Sequence, residues 1–115
     1  MKTSYIVFRN DASVGAGECD LPEEPGLDQI NAVVRPLIRT LLTKHDHIEH
    51  VLVKVDGEYT DMFVDDEGQS KQLPRNERAT TVYRNNWLTQ HPQDDPESLP
   101  YIYGDAVLFS RRIWW

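Results

Sequence analysis

Asp56-Gly57 lies between two strand-like runs, and this dipeptide is the strongest local constraint in the 115-residue chain. Asp-Gly tolerates the positive φ values of a two-residue turn whose twist matches paired antiparallel strands. On its near side, Glu49–Val55 puts Val51, Val53 and Val55 on one face and His50, Leu52 and Lys54 on the other. On its far side, Glu58–Val64 is the returning strand. The sequence therefore predicts a β-hairpin over residues 49–64. Asp65–Gly68 turns the chain again, and residues 69–73 suit a further short strand.

The remaining elements follow from periodicity. Thr3–Arg9 is β-branched and aromatic, so a first strand is expected there, followed by a loop over residues 10–26 with Gly15, Gly17, Pro22, Pro25 and Gly26. Ile30, Val33, Val34, Leu37, Ile38 and Leu41 recur at helical spacing, with Asp28 or a neighbour as cap. Pro36 interrupts that stripe and predicts a kink near Val34-Arg35, with the proline opening the second piece. Ala79, Val82, Tyr83 and Trp87 define a second helix that ends near His91-Pro92, with Asn76 as its N-cap. Tyr101–Trp115 reads as a long last strand, bent at Gly104-Asp105. The order β-α-β-β-(β)-α-β implies a single α+β domain over residues 1–115. It suits a mainly antiparallel sheet of four to five strands with two helices packed on one face; the ferredoxin-like arrangement is one topology with this order.

Hydrophobic residues make up 39% of the chain, enough to fold rather than stay disordered. Twelve Lys and Arg against nineteen Asp and Glu give a net charge of −7. Clustered positive charge is what binds phosphate backbones and anionic membranes, so neither direct nucleic-acid binding nor a membrane partner is expected. Cys19 is the one cysteine, which excludes an intrachain disulfide. Its acidic neighbours Glu18 and Asp20 oppose thiolate formation and hence a nucleophilic role. The amino terminus lacks the apolar run of a signal peptide, so a cytoplasmic location is expected.

Four groups of residues could carry chemistry. His45, His47, Glu49 and His50 are spaced H-x-H-x-E-H, which resembles the H-x-H-x-D-H metal motif of the metallo-β-lactamase family. That resemblance implies His45 and His47 on one metal, Glu49 and His50 on another, and a metal-dependent hydrolase. The chain is too short for that family's sandwich, however, and only His91 remains downstream as a further imidazole. Helix-end and strand-start residues are an adequate explanation of the cluster, and no cofactor is expected. Asp61, Asp65, Asp66 and Glu67, with Asp56 and Glu58 nearby, lack calcium-loop spacing and suit an acidic surface facing a basic partner. Arg75, Asn76, Arg78 and Thr80 at the second helix's start, with Thr81 and Arg84 after it, form an anion or nucleotide site in principle. Ordinary capping accounts for them equally well. Trp114 and Trp115 either close the core edge or anchor an interface. No nucleophile–base spacing supports an enzyme.

Val55–Tyr59, Asp65–Gly68, Leu73–Thr80, Tyr83 and Ile102–Val107 together resemble a family of small proteins of unknown function encoded by phages, plasmids and integrated elements. The more specific parts are Asn76, Arg78, Ala79 and Thr80, and Gly104-Asp105 before the last apolar strand. The resemblance covers residues 50–110 and implies a mobile-element setting, where small acidic domains bind and block host proteins, defence complexes included. It implies no catalytic residue. The expectation is a non-enzymatic binding protein for a host protein or complex with a basic surface, contacted through Asp61, Asp65, Asp66, Glu67, Trp114 and Trp115.

Overall fold

The computed structural model describes residues 2–9, 11, 13–42, 48–55, 58–65 and 74–113, with backbone alone at Ile48, Asp65 and Pro96. Its strands are β1 (Lys2–Phe8), β2 (Val14–Asp20), β3 (Ile48–Val55), β4 (Glu58–Asp65) and β5 (Ala106–Phe109). They form one sheet in the order β2-β1-β5-β4-β3, and every pairing is antiparallel. The α+β class is thus established. The hairpin expected around Asp56-Gly57 is present, since Val55 pairs with Glu58, the register a two-residue connection sets. Residues 69–73, where a short strand was expected, lie outside the described residues.

β2 was expected as loop. Gly15 and Gly17 suggest irregular backbone, but a glycine also suits an edge strand where a neighbour needs the space. A Cβ on Gly17 would come within 2.3 Å of the Tyr5 hydroxyl, so the glycine admits the ring of its register partner. The long last strand is also corrected. Among its described residues only Ala106–Phe109 lies in the sheet, and Tyr103 makes a lone bridge to Arg75. The bend expected at Gly104 is real, with φ at 81°, a left-handed value that glycine accepts without strain.

The first helix has three parts: α1 (Leu27–Gln29), a π segment (Ile30–Val34) and α2 (Arg35–Leu41). Gly26, not Asp28, is the N-cap, and its N–H donates to Gln29 Oε1 at 2.9 Å. Pro36 sits in the first turn of α2, as the kink argument requires. The irregularity precedes it as a wide turn in which the Arg35 N–H donates to the Ile30 carbonyl, five residues back. Ile30, Val34, Ile38 and Leu42, four residues apart, are all buried along one line. The helix α3 (Glu77–Gln90) starts at Asn76, whose side chain accepts from the Ala79 N–H at 3.1 Å.

The two helices cover opposite faces of the sheet, which corrects the expectation of both on one face. Strand alternation divides the core in two. Val7, Phe63, Val107 and Phe109 pack with Ile30, Val34 and Ile38 of the first helix and with Ile113. Val53, Met62, Val64, Ala106 and Leu108 pack with Ala79 of α3, alongside Val82 and Tyr83. The ferredoxin-like topology is excluded as well. It needs a parallel central pair, whereas β5 here lies between β1 and β4 and is antiparallel to both.

Candidate functional site

The second face is covered over only part of its width. Register partners share a face, so Ser4, Ile6, Val55, Thr60 and Leu108 lie on the same side as the α3 cluster. α3 crosses from Phe8, whose carbonyl accepts from Asn76 Nδ2 at 2.6 Å, to the outer edge of β3. There Asn86 Oδ1 accepts from the Lys54 N–H at 2.9 Å, which satisfies edge backbone that would otherwise template further strands. Beyond the helix, an open groove of about 310 Å³ is lined by Ser4, Ile6, Val55, Glu58, Thr60 and Leu108, among others. Ile6 is 40% exposed and Val55 36%, and Val14 on the same face is 49% exposed. Glu18, the register partner of Ser4, and Glu58 stand on this face as exposed acids. Sequence reasoning missed the groove. Tyr5–Phe8 is an unbroken apolar run, and such a run signals a strand covered on both faces.

Asp61 has no place on an acidic surface. It is fully buried in β4, on the first face, where its Oδ1 accepts from His50 Nε2 and its Oδ2 accepts from the Ile113 N–H at 2.6 Å. The carboxylate therefore ties an edge strand to the chain after β5. Nor do Glu58 and Asp65 lie together among the described residues. Glu58 and Asp65 begin and end β4, seven steps of about 3.4 Å apart, roughly 24 Å. Asp65 pairs with Ile48 in the backbone register. Asp66, Glu67, Trp114 and Trp115 lie outside the described residues.

The candidate metal ligands divide in a similar way. His45 and His47 lie outside the described residues. Glu49 pairs with Val64 and His50 with Phe63, so these neighbours point to opposite faces of β3 and do not converge on one ion. The His50 ring lies tilted against Phe63, centroids 5.3 Å apart, with its Nε2 engaged by Asp61.

At the start of α3, two of the four candidate ligand residues are occupied by the fold. Asn76 is buried; besides capping Ala79 it donates to the carbonyls of Phe8 and Gly104. Thr80 is buried, and its Oγ1 accepts from the Ile102 N–H at 2.9 Å. Arg75 and Arg78 remain exposed. Cys19 is half-buried; burial pushes its thiol upward, Arg111 opposes that, and Asp20 adds to it. Burial, ahead of the flanking acids, is what disfavours the thiolate.

Comparison with protein-family models, with curated proteins and with solved structures finds no match. Among the described residues no helix is long and apolar enough to cross a membrane.

Proposed function

We propose that the chain is a non-enzymatic binding protein that holds a basic protein surface against the open half of its second sheet face. The observation that carries this reading is the groove, lined by exposed Ile6 and Val55, Leu108 and the acid Glu58, with Glu18 standing beside Ser4 on the same face. Apolar centres exclude water and supply affinity, while charged rims select the partner and speed its approach. The net charge of −7 favours a basic partner on the same grounds. The contact surface is thus moved from the Asp61–Glu67 strand end to the groove. The mobile-element setting, with blockade of a host defence complex as the outcome, rests on the resemblance of residues 50–110.

The test is affinity capture from host extract, quantified by mass spectrometry, with matched variants. Proteins retained by the wild type are expected to be lost with Ile6→Lys and with Glu18→Lys/Glu58→Lys, and kept with Arg78→Glu. Retention that is indifferent to the groove variants overturns the reading.

A further inference from the structure

A second feature, half-exposed, lies across α3 from the groove and has the opposite charge. Asn76, Thr80 and Arg84 are spaced i, i+4, i+8 and share one side of the helix. The segment 99–104 is fastened along that side. The Asn76 N–H donates to the Ile102 carbonyl at 2.7 Å, the Ile102 N–H to Thr80 Oγ1 at 2.9 Å, and Arg84 Nη2 to the Leu99 carbonyl at 3.0 Å. These bonds place the Tyr101 ring between two guanidinium groups. Arg75 Cζ lies 3.9 Å from the ring centroid and Arg84 Cζ lies 4.2 Å from it.

Stacking on a ring accommodates a guanidinium's charge but leaves its in-plane N–H donors needing acceptors. Among the described residues neither arginine meets a carboxylate. Arg84 Nε is buried and has no acceptor. A planar carboxylate is satisfied by one guanidinium fork. A phosphoryl group presents three terminal oxygens and up to two charges, and so engages two guanidiniums at once.

We propose that Arg75 and Arg84, held on either side of contact with Tyr101, form a binding site for a small phosphate-bearing ligand. The site is independent of the groove and does not rely on the helix N-terminus, whose cap is already filled by Asn76. Tyr101 acts as the spacer that fixes the two forks, and the carbonyl of Leu99 orients Arg84.

The experiment is a titration of the full ¹⁵N-labelled chain with inorganic pyrophosphate, read at the arginine Nε–H resonances, with sulfate at matched ionic strength as control. The expected result is a saturable shift of the Arg84 Nε–H signal. It should be weakened about tenfold or more by Arg75→Gln, equivalent to about 1.4 kcal/mol, and by Arg84→Lys. Arg75 is exposed, so Arg75→Gln leaves the fold intact, and the unchanged backbone resonances verify that. A linear, unsaturable shift, a shift equalled by sulfate, or one unaltered by Arg75→Gln overturns the site and leaves the stack as packing only.

Discussion

The two faces of the sheet are built from the same five strands and finished differently. The first is closed over β1, β5 and β4 by the π segment, α2 and Ile113, and even the carboxylate of Asp61 there has two donors. The second is closed by α3 from Phe8 to the β3 edge and left open at Ile6 and Val55. The difference shows where charge and apolar surface serve the fold and where they remain for a partner. Asp61 on the first face is consumed internally, whereas Glu18 and Glu58 on the second meet solvent. A substitution on the first face should therefore register as stability, and one in the groove as binding.

The largest effect is expected at Asp61. Asp61→Ala strands the His50 imidazole and the Ile113 N–H without their acceptor. Leaving a buried donor without its acceptor costs about 1–3 kcal/mol, and here two donors lose theirs at once. Urea unfolding should show the midpoint falling with little change in slope. Asp61→Asn, which keeps the shape and one acceptor oxygen, should lose less. A midpoint unchanged by Asp61→Ala would remove the claim that this carboxylate is structural. Next comes Gly17→Ala on the same face. The new methyl meets the Tyr5 ring, which must shift, at a cost of about 1–3 kcal/mol by the usual penalty for overpacking.

The groove should answer in the opposite sense. Ile6→Lys and Val55→Lys each place a charge where the side chain already reaches water, so stability should stay within about 0.5 kcal/mol of wild type. Ile6→Lys is also a variant expected to abolish partner capture, and Val55→Lys, in the same groove, should do the same. A loss of stability at Ile6→Lys comparable to that at Gly17→Ala would mean that the groove is closed in solution, and the contrast between the faces would fail.

Most of the α+β plan was legible in the sequence because it depends on local signals. Alternation at Val51–Val55, the Asp56-Gly57 turn, the stripe at Ile30–Leu41 and the Asn76 cap are each written in neighbouring residues. What was not legible depends on distant partners. β2 looks like loop until Tyr5 occupies the space above Gly17. The assignment of the helices to faces is settled only when β5 inserts between β1 and β4. Asp61 counted as surface because acids usually are, and nothing near it in sequence reveals that His50 and Ile113 satisfy it. Arg111 is similar, since it donates to Thr3 Oγ1 and to the carbonyls of Pro22 and Glu23, about 90 or more residues back. The groove was not legible, and the arginine stack was legible only in part: Arg75 and Arg84 stand together around the second helix in the sequence, but Tyr101 becomes their neighbour through bonds between α3 and segment 99–104.

The smallest predicted effect is a pH dependence at Cys19, on the closed face. Burial raises its thiol above the ordinary value, so the folded state holds the proton more firmly than the unfolded chain. A group shifted upward contributes stability that is fully present below its unfolded value and is lost as the pH rises through its folded value. The contribution should thus be intact at neutral pH and decline above about 8.5, the ordinary range of a cysteine. Cys19→Ser should flatten the alkaline limb of the stability curve and leave the neutral region otherwise parallel. Alkylation by iodoacetamide offers a second check, because the thiolate is the reactive form. The rate at Cys19 should trail that of an unstructured cysteine peptide at every pH and converge on it in denaturant. If Cys19 reacts as fast as the peptide at neutral pH, the thiol is not shielded, and the seal over the β1–β2 end of the first face is looser than its packing against Val7 and Ile113 requires.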